Sequence, residues 1–433
     1  MHQDPVSPSD TVALNSCQDL PPVSVVTTGA PVGAHQAHYI VVGGGQVGVD
    51  PDDHGAPVGE PPTLYVTTLD RLYAVHASDG TVRWCQQVQL TQEQIQEWSA
   101  RHGMRHGPPP SLTFGTPRVA DGVVYVCVSG YGRYTCAFNA EDGSLRWRTP
   151  TDAWSVAMPF GDYAVPVVRE GIVYTGTYAL QAQDGTVLWR IASDAGWLSP
   201  QALVDGTLYA ITQMGIYAIN AQNGEVRWHY GTHMSPVGPL VVADHLLYVG
   251  TLGSVAHPEQ SRCYALDADT GTPRWQHPMG NGYVGAVVHN ESIYVSSRDQ
   301  HLYALEKHTG SLRWKYPFAY PTYHTATIVG NVVYINIHGA YALSSVDGTL
   351  LWHKDLASDP PGFYCTPSIV VDGVVYLASG GGPPWASILY ALDASNGAEY
   401  WHKHYPSSIA PLAVVTSSFS SFAIEQSNGE GAS

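Results

Sequence analysis

The stretch Tyr264-Ala265-Leu266-Asp267-Ala268-Asp269-Thr270-Gly271-Thr272-Pro273-Arg274-Trp275 decides the fold of this chain, because it recurs with variations eight times. Its tryptophan falls at Trp84, Trp147, Trp189, Trp228, Trp275, Trp314, Trp352 and Trp401. A period of roughly 40 residues built from short strands is the signature of a β-propeller. One repeat cannot bury both faces of its small sheet, whereas a ring of repeats can. The expected fold class is all-β, an eight-bladed β-propeller of four-stranded antiparallel blades.

The repeat that ends at Trp228 reads as one blade. An inner strand covers Pro200 to Val204, and Asp205-Gly206 makes a turn. Leu208 to Ile211 and Ile216 to Ile219 are the next two strands. Asn223-Gly224 turns the chain again into Glu225 to Trp228. Asp-Gly and Asn-Gly supply the positive φ that a tight hairpin needs. The same device stands before every repeat tryptophan: Asp79-Gly80, Asp142-Gly143, Asp184-Gly185, Asn223-Gly224, Thr270-Gly271, Thr309-Gly310, Asp347-Gly348 and Asn396-Gly397.

The pattern Ala-x-Asp-x-x-Thr-Gly-x-x-x-Trp, best kept at Ala265 to Trp275 and Ala391 to Trp401, resembles the tryptophan-docking motif of the PQQ-like, or quinoprotein-type, propellers. The resemblance runs from about Pro62 to Trp401. It implies eight blades tied together by indoles packed on neighbouring turns. For activity it implies several outcomes, because the family includes PQQ-dependent dehydrogenases, a propeller lipoprotein of the outer-membrane assembly machine and sensor ectodomains.

Three regions are expected: an N-terminal extension at 1–60, partly irregular, the propeller at 61–416, and a C-terminal tail or degenerate half repeat at 417–433. A closing strand is expected near 410–415, which would pair the two ends of the ring and remove an open edge. His38 to Val42 is an alternative closing strand. Gly43-Gly44-Gly45 lacks the spacing of a dinucleotide fingerprint.

Composition excludes several function classes. The formal net charge is −17 and no Lys/Arg cluster occurs, which sets aside nucleic acid and anionic membrane surfaces. No apolar run approaches a transmembrane segment. Residues 1–20 lack the basic leader and apolar core of a signal peptide. Leu14-Asn15-Ser16-Cys17 is similar to a lipoprotein cleavage box but has no apolar segment before it, and is read as chance. The resemblance points to an extracytoplasmic, bacterial-type protein, and a cytoplasmic one stays open.

The chain has six cysteines and no CxxC pair, which argues against a zinc ribbon. Counting outward from the turn Gly130-Tyr131-Gly132-Arg133 pairs position 127 with 136. Cys127 and Cys136 could then be bridged in an oxidising compartment or remain two reduced core thiols.

Connections between strands two and three, and from strand four to the next blade, share one face, here called the top. The long insertions map to it at 85–112, 252–262, 355–363 and 379–387. The first is expected to hold a helix, capped by Thr91 and Gln94, stapled by Leu90 and Ile95 and ended by Gly103. Ile95 and Trp98 would share its buried face. The tryptophans outside the repeat positions are Trp98, Trp154, Trp197 and Trp385, all in top-face connections. Phe114, Tyr163, Trp197, Tyr283, Tyr323 and Tyr364 enter successive inner strands, with Asp162 and His324 beside them. Aromatic rings at a channel mouth suit a planar or sugar-like ligand or a partner hot spot, and equally a plug of the channel. The expected site is Phe114, Trp154, Asp162, Tyr163, Trp197, Tyr283, Tyr323, His324, Tyr364 and Trp385.

Catalytic signatures are sparse. The resemblance implies, for a quinone dehydrogenase, adjacent cysteines beside the cofactor, a Ca²⁺ held by carboxylate and amide ligands and an Asp base. No Cys-Cys pair occurs, and Asp162 has no assignable companions. His402 and His404 share a strand face, and His102 and His106 lie a helical turn apart, without further ligands that spacing reveals. The expected function is a non-enzymatic propeller that binds a protein, peptide or glycan on its top face, with no catalytic residue, cofactor or metal. The alternative is a PQQ- and Ca-dependent dehydrogenase.

Overall fold

The computed structural model describes residues 62–89, 112–153, 165–191, 198–253, 260–356, 364–380 and 387–405, apart from 69, 131, 214, 233–235, 281 and 323. It also describes residues 95–96 and short strands at 13–16, 25–27, 157–158, 161–162 and 413–415. The protein is an all-β propeller of eight antiparallel blades. Blades 1 to 8 are numbered in chain order by their repeat tryptophans, Trp84 to Trp401, and blade 4 shows the plan: Ser199–Val204, Thr207–Thr212, Gly215–Asn220 and Val226–Gly231 pair in chain order from the inside out.

The turn residues act as their chemistry requires. Between strands one and two, Asp121, Glu170, Asp205 and Asp372 take φ of 46–50°, each followed by a glycine at 67–76°. Two consecutive positive φ values make a turn whose twist matches that of the strands it joins. Between strands three and four, the carboxylate of Asp79 accepts the backbone N–H and the hydroxyl of Thr81.

The core lies between blades, not within one. Eight buried clusters each join two neighbouring blades, so burial runs around the whole ring. In the cluster at the seam, Leu64, Val66 and Tyr73 of blade 1 pack with Ile369, Tyr376 and Trp401 of blade 8. Each repeat tryptophan also donates its indole N–H to a backbone carbonyl of the next blade. The acceptors of Trp84, Trp147, Trp189 and Trp228 are Ala140, Ala182, Ala221 and Ala268, at 2.8–3.0 Å. Those of Trp275, Trp314, Trp352 and Trp401 are Lys307, Ser345, Ala394 and Ala77, at 2.9–3.1 Å. A strand-two tyrosine of the same blade often shares the acceptor: Tyr209 donates to Ala268 O at 3.1 Å. The indole then covers the turn glycine of that next blade, as Trp275 does at Gly310. Two residues further on, Gln86, Thr149 and Lys403 donate to the carbonyls of Gly143, Gly185 and Gly80.

Both chain ends meet at the seam. Ala413–Val415 is the innermost strand of blade 1, with Leu64 opposite Val414. Ala13–Ser16 adds a strand to the outer edge of blade 1, and Val25–Thr27 one to blade 8. The alternative closing strand at 38–42 lies outside the described residues, as does most of the expected helix, of which positions 95 and 96 are helical.

The expected Cys127–Cys136 pairing is corrected. The register sets Cys127 opposite Thr135 and Val126 opposite Cys136. That one-residue shift puts the two sulfurs on opposite faces of the blade. Cys136 packs in the cluster shared with blade 1, and Cys127 lies 3.3 Å from the Thr175 hydroxyl of blade 3. Neither forms a disulfide. Cys85, in contrast, is disulfide-bonded.

Candidate functional site

The inner strands of three blades carry an expected aromatic at their first or second residue. Phe114 stands opposite Val128, Tyr283 opposite Ser297 and Tyr364 opposite Gly380. Each partner lies at the end of strand two, so the three positions share the top end of the ring. Phe114 does not serve as a surface anchor. It is 2% exposed and meets Phe138 edge-on in the core between blades 1 and 2. A strand alternates its faces, and position 114 falls on the inter-blade side. Phe114 is therefore withdrawn from the site as a core residue.

Asp162 belongs to a two-residue strand, Gly161–Asp162, opposite Ala157. Trp154, Tyr163, Trp197, Tyr323 and Trp385 lie outside the described residues, as does Trp98. His324 is partly buried on the approach to blade 7. Burial pushes its imidazole down from 6.5 to about 4, which keeps the ring neutral at physiological pH.

Described top-face residues that the sequence did not single out fix the connections around the mouth. Asp152 accepts the backbone N–H of Thr177 at 2.9 Å and its hydroxyl at 2.5 Å, with Arg190 3.6 Å away. That pins the blade 2–3 connection onto blade 3. Asp299 accepts the Tyr303 hydroxyl at 2.5 Å and the Gly280 N–H at 3.3 Å. Asn336, 3% exposed, donates to the carbonyls of Thr366 and Ala378 across the blade 7–8 boundary. Tyr320 is 46% exposed and lies with its ring 4.5 Å from that of His338. Among the described residues it is an exposed aromatic of this face that the sequence reading did not include. Its signal in the sequence is the run Tyr320-Pro321-Thr322-Tyr323-His324, which carries a second tyrosine three residues before Tyr323.

Among the described residues, one group gathers three possible metal ligands: Glu291, Glu306 and His308, within 4.8 Å of one another. These belong to the bottom turns of blade 6, away from the top. Glu291 is paired with Lys307 at 2.9 Å, and Glu306 accepts the N–H groups of His308 and Thr309. His402 is held by Glu399 at 2.7 Å and lies 5.4 Å from the His404 ring. A quinone–calcium pair needs carboxylates converging at the channel mouth. Among the described residues of the top face, Asp152 and Asp299 each bond within their own connection, and no group of three acidic, histidine or cysteine side chains gathers there. The described residues do not fit that group.

A family model described as outer membrane protein assembly factor BamB matches residues 92–256 and 259–426, more than half of the chain. The chain belongs to this PQQ-like propeller family. Among solved structures, BamB from Moraxella catarrhalis is similar at 13% identity and TM-score 0.53, covering 86% of this chain and 99% of that one. A quinohemoprotein alcohol dehydrogenase from Comamonas testosteroni is similar at 13% identity and TM-score 0.55, covering 69% and 68%. A computationally designed protein, Ika8, reaches TM-score 0.54 at 10% identity, covering 70% and 95%. Likeness at such identities speaks for the fold alone. No curated protein matches the chain significantly in sequence. The same fold thus occurs in an assembly factor and in a dehydrogenase, and fold alone does not choose between them.

Proposed function

We propose that the chain is a non-enzymatic, extracytoplasmic propeller that binds a protein partner on its top face. The observation that carries this is the BamB family match, which spans both halves of the ring. The distribution of structure supports it. Bottom connections are tight turns, whereas the long connections that could shape a binding surface are on top. The top also carries the aromatic positions, with Tyr320 exposed beside His338. Trp154, Trp197, Tyr283, Tyr323, His324, Tyr364 and Trp385 complete the proposed surface. Indole and phenol rings are the usual anchors of such patches, each contributing about 2 kcal/mol or more. Peptide or glycan ligands would use the same rings.

The test compares faces. Trp197→Ala or Tyr323→Ala should weaken recovery of a cross-linked protein partner from producing cells about thirtyfold, corresponding to about 2 kcal/mol. Asp205→Ala, in a bottom turn, should leave recovery unchanged. Loss of recovery in Asp205→Ala alone would move the site to the other face. The dehydrogenase alternative is checked separately by adding PQQ and Ca²⁺ with an alcohol and a redox dye. Dye reduction dependent on both additions would overturn the non-enzymatic assignment.

A further inference from the structure

We propose that Cys17 and Cys85 form a disulfide that clasps the N-terminal extension over the seam of the ring. Cys85 is disulfide-bonded, and of the six cysteines Cys127, Cys136, Cys263 and Cys365 are in no disulfide. Elimination leaves Cys17. Register leads to the same residue independently. Ala13–Ser16 runs antiparallel to Val82–Gln89, with Ala13 opposite Gln89 and Ser16 opposite Gln86. The described pairing ends at Ser16; continued by one residue, that register would set position 17 opposite Cys85. Directly opposed residues of an antiparallel pair share a face, with Cα atoms about 4.5–5.5 Å apart. A disulfide spans that separation.

The position of Cys85 tells what the bond does. It is 7% exposed and belongs to the cluster joining blade 1 to blade 8, beside Tyr73, Trp401 and Tyr405. The same extension places Val26 opposite His402 on the outer edge of blade 8. The two outer strands therefore flank the junction where the chain's ends meet. Inside the ring, Ala413–Val415 closes that junction by hydrogen bonds. The disulfide gives the outside a covalent counterpart. It also makes the first strand, short and at an edge, independent of its own weak pairing.

The chemistry selects this pair. Bond formation removes one proton and one electron from each thiol, and the sulfurs join. The two electrons reduce a disulfide-bearing thiol oxidase to its dithiol by exchange. Such oxidants act in extracytoplasmic compartments. Cys136 and Cys263 do not compete: burial pushes Cys136 up to about 12 and raises Cys263 as well, so both stay protonated and out of reach. A sulfur in a disulfide cannot carry a thioether. The bond and a lipid on Cys17 therefore exclude each other, although Leu14-Asn15-Ser16-Cys17 is similar to a lipid-attachment box.

The full chain, exported to an oxidising compartment, is denatured in alkylating agent and digested without reductant. Mass spectrometry should find a linked peptide pair holding Cys17 and Cys85, with the other four cysteines alkylated. Cys17 recovered alkylated or bearing a lipid mass, or Cys85 joined to a different cysteine, overturns the pairing. The clasp is tested by limited proteolysis. Reductant should speed cleavage within the first 60 residues about tenfold, as expected when a local segment opens without global unfolding. Cys17→Ser should show the faster rate from the outset and no further response to reductant. Wild-type cleavage insensitive to reductant overturns the clasp.

Discussion

Trp401 sits where the ring meets itself. It is 2% exposed, and its indole N–H reaches the Ala77 carbonyl across the seam at 3.1 Å. Trp401→Ala removes a large buried ring and should cost about 3–5 kcal/mol in denaturant titration. Trp314 is only half-buried, so Trp314→Ala should cost less. Equal losses would mean the seam is no more dependent on its indole than any other junction. His324 offers a pH readout at the same scale. Its folded pKa of about 4 lies below the ordinary 6.5, so between those values the unfolded chain binds a proton that the folded chain does not. Stability from this group is complete above about pH 6.5 and is lost as pH falls towards 4. His324→Gln should flatten that part of the stability curve. An NMR titration of the imidazole with a midpoint near 6.5 would refute the burial argument.

At the scale of the element, the turn glycines separate into two kinds. Gly310 has φ of +70°, and a Cβ there would stand 2.6 Å from the Trp275 ring. Gly206 has φ of +67° and open space around it. Gly206→Ala should cost only the backbone term of about 1–2 kcal/mol. Gly310→Ala should cost clearly more, because it also lifts an indole off the next blade. Similar melting temperatures for the two variants would deny that contact its role. The same turns explain what could be read in advance. Asx-Gly pairs and tryptophans recur at a fixed spacing, so strand order and blade count follow from periodicity. Cys127 and Cys136 did not follow, because the connection at 129–133 is one residue longer than the turn counted from Gly130 to Arg133. In a hairpin a single residue reverses every face. Phe114 failed for a related reason: its aromatic character was visible, but which side of the strand it occupied was not. The outer strands at 13–16 and 25–27 are too short to leave a pattern.

The whole molecule is a ring whose eight inter-blade clusters make its burial continuous. That architecture was legible because every blade must satisfy the same neighbour. The partner surface was not, because long connections answer to a ligand and no repeat constrains them. Tyr320, exposed beside His338, illustrates this: nothing in the period marks it out. The proposed role rests on a top face that holds a protein partner. A photo-crosslinking amino acid placed in turn at position 197 and at position 205, in the cells that produce the protein, separates the two faces. The account predicts a discrete protein adduct from 197 and none from 205. An adduct from 205 alone, or none from 197, would contradict it.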